Sequence, residues 1–183
     1  NCLDEVVERD PSDATAWSFL VTSARGRQLD RTEAERRFAA ATAQHPWHLG
    51  AHAAMLQYLC KKWYGSHEEM FAFARQAAAK APAGSQLHEL VAEAHIEYWL
   101  DLPSGDDVEY MKQPQVVAEL NAAADQSVRH PAFVRRPGWP GIHNTFAFAF
   151  SCAGEWRAAA EQFDIIGDQL TEYPWRYFQN DGV

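Results

Sequence analysis

Asp13 to Pro46 read DATAWSFLVTSARGRQLDRTEAERRFAAATAQHP. Asp13 is placed to cap a helix from Ala14 to about Arg25, in which Trp17, Leu20, Val21 and Ala24 recur at helical spacing. Gly26 ends that helix. Asp30-Arg-Thr-Glu33 then has the form of a capping box with Asp at the cap, opening a second helix through Ala34, Phe38 and Ala41 to Gln44, which Pro46 stops. Two helices of this length and two short turns occupy about 34 residues, so the segment reads as one helical hairpin. Outward from it, Pro11, Pro46 and Pro82 follow at intervals of 35 and 36 residues, in Arg-Asp-Pro, Gln-His-Pro and Lys-Ala-Pro. That is the period of stacked helix pairs, and it predicts an array in place of a closed globular core.

The rest of the chain carries the plan on with two interruptions. The expected hairpins span about 13–45, 47–81, 83–130 and 141–172, eight helices in one domain over 1–183. The second runs from Leu49 to about Lys62, turns at Trp63-Tyr64-Gly65, and restarts at the capping box Ser66-His-Glu-Glu69 toward Lys80. The third starts at Ser85 and reaches about Leu100, and its second helix covers about Gln115 to Arg129. Between them lies an acidic insertion, 101–115, with two prolines. Ala132 to Pro140 cannot be regular helix, given Pro137, Gly138 and Pro140. The fourth pair is Gly141 to Ala153, a Gly154 turn, and Glu155 to about Thr171, followed by the aromatics Trp175, Tyr177 and Phe178.

Composition supports an all-α reading. Hydrophobic residues make up 47% of the 183, enough for a core, alanines cluster in runs such as Ala77-Ala78-Ala79, and Val and Ile are too few for a large sheet. A formal charge of -9 argues against nucleic acid, whose binding needs clustered Lys and Arg, and favours basic peptides or proteins. Cys2, Cys60 and Cys152 form neither a disulfide framework nor a CxxC site, which suits a reducing, cytoplasmic setting. No apolar run approaches the roughly 18 residues of a membrane span. The chain starts at Asn1 without an initiator Met, so it reads as a piece of a longer protein.

Aligned on its prolines, the chain resembles the tetratricopeptide repeat family. Trp17 and Leu20 match the first-helix positions of that pattern, and Ala34, Phe38, Ala41 and Pro46 match the second after a one-residue insertion. In the fourth hairpin Phe146, Ala147, Gly154, Ala159 and Phe163 match. Met70, Ala74 and Ala77 in the second hairpin depart from the pattern, and the third matches poorly beyond the insertion. The resemblance implies a right-handed α-α superhelix of about four hairpins, irregular after residue 100, whose first helices line a concave groove for a protein or peptide. Lys62 to Arg75 is also similar to a segment from uncharacterised bacterial proteins grouped as a domain of unknown function, which implies no activity.

By the same alignment, the groove would present Thr22, Arg25, Gln57, Lys61, Glu89, Glu93, Glu97, Asn144 and Ser151. Glu89, Glu93 and Glu97 stand at i, i+4 and i+8, a carboxylate stripe suited to Lys or Arg of a partner. A solvated face, or pairing with Lys61 and Arg25, is the plainer account. Phe133, Arg135, Arg136 and Trp139 lie on the Pro-rich loop, with residue types that dominate interfaces; Trp139 pinning the loop is the alternative.

His48 and His52, four apart, have metal-ligand spacing but lack a third ligand nearby. His52, His88 and His143 share the register of Trp17, which reads them as ring-shaped fillers. His88-Glu89 with His95 fails as a zinc-protease motif, because the histidines are seven apart. No nucleotide or nucleophile motif occurs and no cofactor or metal is implied. The leading expectation is a non-enzymatic scaffold for a basic protein or peptide. The alternatives are a metal-binding protein or hydrolase built on His48, His52 and a distant acid, and a self-assembly module using the aromatic tail.

Overall fold

The computed structural model describes residues 2–180. Among them are eleven α-helices and no strand, so the protein is all-α. The chain divides at Ala81–Pro82, the third proline of the ladder, into two compact units.

The first unit holds α1 (Cys2–Arg9), α2 (Ala14–Gly26), α3 (Arg31–Gln44), α4 (Leu49–Tyr58) and α5 (His67–Lys80). Each of the last four starts on a side-chain cap. Asp13 accepts from Ala16 N–H at 2.9 Å, Asp30 from Glu33 N–H at 2.9 Å, His48 Nδ1 from Ala51 N–H at 3.1 Å, and Ser66 Oγ from Glu69 N–H at 3.1 Å. Such caps contribute about 1 kcal/mol apiece. The return half of each capping box is spent elsewhere: Glu33 takes Arg36 and Arg37, and Glu69 takes Arg31. Helix α2 packs against α1, α3 and α4. Its inner face joins Val21 and Ala24 to Ala34, Ala54, Met55, Tyr58 and Leu59, with Phe38 and Phe73 at the margin. Its other apolar side, Ala16 and Leu20, is covered by Val7 and Leu3 of α1.

The sequence predicts α4 to about Lys62, but it stops at Tyr58. The chain folds back immediately, with Tyr64 N–H reaching Tyr58 O at 3.3 Å, and Gly65 crosses Leu59 so closely that a Cβ there would lie 2.2 Å from the Leu59 carbonyl oxygen. Only glycine fits.

The second unit opens with a 3₁₀ turn, Gln86–His88, and continues as α6 (Glu89–Leu100), α7 (Asp106–Met111), α8 (Pro114–Gln126), α9 (Trp139–Ala153), α10 (Trp156–Ile166) and α11 (Glu172–Trp175), ending in a 3₁₀ segment, Arg176–Asn180. Helix α9 is buried at every residue from Ile142 to Phe150, the signature of a central helix. It packs against α6, α7, α8, α10 and α11. Phe146, Phe148 and Phe150 are fully enclosed, each worth about 1.5–3 kcal/mol of transfer free energy. Gly154 (φ 75°) ends α9 in the left-handed conformation a glycine cap supplies.

Two further differences from the sequence reading stand out. The 101–115 insertion is not wholly irregular, since it contains α7. The last long helix ends at Ile166 and not near Thr171, because Gly167 breaks it at φ 59°. The tail then folds onto α9: Trp175 and Phe178 lie against Phe148 with ring centroids 5.5 Å and 4.7 Å away, and Trp175 also meets Phe163 at 5.3 Å.

Candidate functional site

Helix α6 is buried over most of its length. Leu90, Val91, Ala92, Ala94 and Ile96 are buried, and so are Glu89 and Glu97, at 6% and 5% exposure. Three carboxylates are thus carried on a helix whose other sides satisfy its packing. The stripe read from the sequence is therefore neither solvated nor scattered. Glu93, the middle member, is half-buried as a residue, yet its Oε2 is sealed from solvent with no hydrogen-bond donor. Tyr173, at the start of the tail, brings a second sealed and unpartnered atom, its hydroxyl oxygen.

Two anchors place the tail there. Asn144 on α9 is fully buried and makes four bonds: it donates to Pro140 O (2.7 Å) and Gln169 O (3.1 Å), and accepts from Thr171 N–H (3.4 Å) and Trp175 Nε1–H (2.6 Å). The Thr171 hydroxyl donates to the Tyr173 carbonyl at 2.5 Å.

The electrostatics follow from enclosure. Burial raises Glu89 to about 7, opposed by the Thr145 hydroxyl from α9. Burial pushes Glu93 well above the carboxylate range, and the charges of Glu89 and Glu97 push it further. Tyr173 is raised well above the usual phenol value by burial first, then by Glu93, Glu97, Tyr177 and Glu89. All three carboxylates therefore act on one tyrosine. Each shift favours the protonated, uncharged form, because burial disfavours charge.

The other expected partner-binding residues occupy different surroundings. In the loop before α9, Arg135 lies over the Trp139 ring at 4.4 Å, and both Arg135 and Arg136 are exposed. Contrary to the sequence reading of 132–140 as non-helical throughout, Trp139 and Pro140 form the first turn of α9, where a proline is tolerated. Trp139 meets the His143 ring edge to face at 5.4 Å within that helix, and Phe133, which meets the same ring at 5.5 Å, is the residue that pins the loop to α9. In the first unit Arg25 donates to Gln57 at 3.4 Å and stands over Trp63 at 5.1 Å, while Lys61 is exposed.

The histidines are held in place. His48 caps α4, and its Nε2 stands 3.4 Å from Thr15 Oγ1. His52 Nδ1 meets the His48 carbonyl at 3.1 Å, and its ring packs edge to face on Phe38. His88 Nε2 lies 3.2 Å from Pro82 O, and His143 Nδ1 lies 2.8 Å from Gln162 Oε1. Burial lowers the pKa of all four, favouring neutral rings. Cys152, half-buried on α9, has its thiol pushed up to about 12 by burial, and so is a poor nucleophile at neutral pH. Among the described residues no group of three His, Cys, Asp or Glu side chains is arranged to hold a metal ion.

Sequence reasoning missed one constellation. His95, 2% exposed on α6, stands between Tyr110 of α7, with Nδ1 2.6 Å from the hydroxyl, and Glu119 of α8, with Nε2 3.0 Å from Oε2. Its partners lie 15 and 24 residues away, beyond any local spacing rule. The Asn144–Trp175 hydrogen bond, between residues 31 apart, escaped for the same reason.

Compared with models of known families, with curated proteins and with solved structures, the chain matches none. Among the described residues no helix is long and apolar enough to cross a membrane.

Proposed function

We propose that this protein is a non-enzymatic helical-hairpin scaffold of the tetratricopeptide type, which binds a basic protein or peptide through the second unit. The observation that supports this reading is the enclosed stripe Glu89, Glu93 and Glu97. Burying a carboxylate costs several kcal/mol, and α6 would pack as well with apolar residues at those positions. A fold that retains three of them gains in return a strong, directional preference for cations. The chain's charge of -9 draws the same class of partner at long range.

The test uses the intact chain immobilised on a biosensor surface, with Lys/Arg-rich and Glu-rich peptides of equal length as analytes. The basic set should bind, with affinity falling as salt rises, and Glu93→Lys should weaken it at least tenfold while circular dichroism stays unchanged. Equal binding of both sets, or indifference to Glu93→Lys, would overturn the reading.

A further inference from the structure

We infer that the basic, aromatic pole of the first unit docks a second copy of this chain, engaged through helix α7 of that copy. The inference is independent of the scaffold reading above, since it uses neither α6 nor its carboxylates. Charge is divided unevenly along the chain. Residues 1–81 carry ten Lys and Arg against ten Asp and Glu, whereas 82–183 carry six against fifteen, so the whole charge of -9 belongs to the second unit.

The pole is built where α2 and α4 end. The turn after Tyr58 leaves Lys61, Lys62, Trp63 and Tyr64 exposed, the two rings at 45% and 38%. Three contacts order it. The Arg25 guanidinium stands over the Trp63 ring at 5.1 Å, the Tyr64 hydroxyl donates to the Arg25 carbonyl at 3.2 Å, and the Tyr64 ring stacks on Tyr58 at 4.8 Å. Arg27, also exposed, follows in the chain, and neither 25–29 nor 58–65 contains an Asp or Glu. Aromatic and arginine side chains dominate interface energetics, and side chains already ordered lose less entropy on binding.

Helix α7 is the complement of this pole. It exposes Asp106 and Glu109 on either side of Val108, which is 50% exposed. Asp107 is turned back onto the Gly105 and Val108 N–H groups at 2.8 Å and 2.9 Å and fixes the start of the helix. Tyr110, bonded to His95, holds α7 to α6. Carboxylates flanking an exposed valine thus meet cations flanking exposed rings, matched in charge and in apolar surface. Every molecule carries both halves, and the contact is heterologous, the pole of one copy against α7 of another.

Sedimentation equilibrium of the intact chain, at about 20 mM and about 500 mM NaCl, tests this. At low salt the average mass should rise with protein concentration, and at high salt association should weaken at least tenfold. The pole variant Lys61→Glu with Lys62→Glu, and the helix variant Asp106→Lys with Glu109→Lys, should each sediment as monomers. All four positions are exposed, so both variants are expected to fold, and circular dichroism checks it. An equimolar mixture of the two should associate again, because the intact α7 of one meets the intact pole of the other. A parent that stays monomeric at low salt, association indifferent to either variant, or a mixture that stays monomeric would overturn the inference. A monomeric parent whose pole takes up a Glu-rich peptide would overturn it too, by giving the surface a different occupant.

Discussion

Trp175 donates its indole N–H to Asn144 Oδ1 at 2.6 Å, and this contact ties the aromatic tail to the central helix of the second unit. Asn144 uses all four of its bonding positions on groups from the α9 start, the α10–α11 link and the tail. Asn144→Ala would leave those groups buried and unmatched, at a cost of about 2–4 kcal/mol. Trp175→Phe keeps most of the ring contacts with Phe148 and Phe163 and should cost about 1 kcal/mol for the lost bond. Urea unfolding measures both. Limited proteolysis beyond Gly167 should accelerate in Asn144→Ala, and equal resistance of that variant and the parent would refute the anchoring role.

The Glu89 carboxyl makes stability depend on pH in an unusual direction. Its ordinary value is 4.5 and its folded value about 7, so between these the native state holds a proton that the unfolded chain releases. Its contribution is complete below about pH 4.5 and is lost as pH rises through about 7, a change of order 3 kcal/mol. Glu93 acts in the same direction, and Glu97, Thr145 and Tyr173 are the polar groups around them. Glu89→Gln should therefore match the parent near pH 4.5 and exceed it in unfolding midpoint at pH 8. A variant no more stable than the parent at pH 8 would show that the carboxyl is not desolvated.

What could be read in advance follows from the range of the forces involved. Asp13, Asp30 and Ser66 act on amides three residues away, so their helix starts were visible in the sequence. Gly154 ends α9 through its own backbone angle, and that turn was visible too. Helix α1 was not foreseen, since its eight residues offer only Leu3 and Val7 as an apolar pair and gain meaning when they cover Ala16 and Leu20. Helix α7 was hidden by Pro103, Gly105 and Pro114 around a six-residue helix. The positions of the three carboxylates were legible from their spacing. Their enclosure was not, because it depends on α9 and on a tail more than seventy residues downstream.

The Tyr110–His95–Glu119 chain fastens α7 to α6 and α8. Tyr110→Phe removes the hydroxyl beside His95 Nδ1, while the ring stays against Tyr98, 4.6 Å away. The expected cost is about 1–3 kcal/mol, concentrated in the insertion. Hydrogen exchange should quicken across Asp106–Met111 and leave the amides of α2 and α3 unchanged. Uniform acceleration over both units, or none over α7, would contradict a local fastening role.

Arg37 carries the corresponding burden in the first unit. It is 5% exposed, donates from Nη1 to the Leu20 carbonyl at 2.7 Å and from Nε to Glu33 at 2.6 Å, and so joins α3 to α2. Glu33, held by Arg36 first and Arg37 as well, has its pKa lowered to about 2. A carboxylate lowered in this way stabilises the fold above its unfolded value of 4.5, and the contribution is lost as pH falls toward 2, opposite in sign to Glu89. Glu33→Ala strands a buried guanidinium and should cost about 3 kcal/mol, whereas Arg37→Met keeps the packing volume and should cost less. The double variant should then be more stable than the sum of the single losses implies. Strict additivity in a double-mutant cycle, measured by urea unfolding at pH 7, would show that the two side chains do not act as a pair.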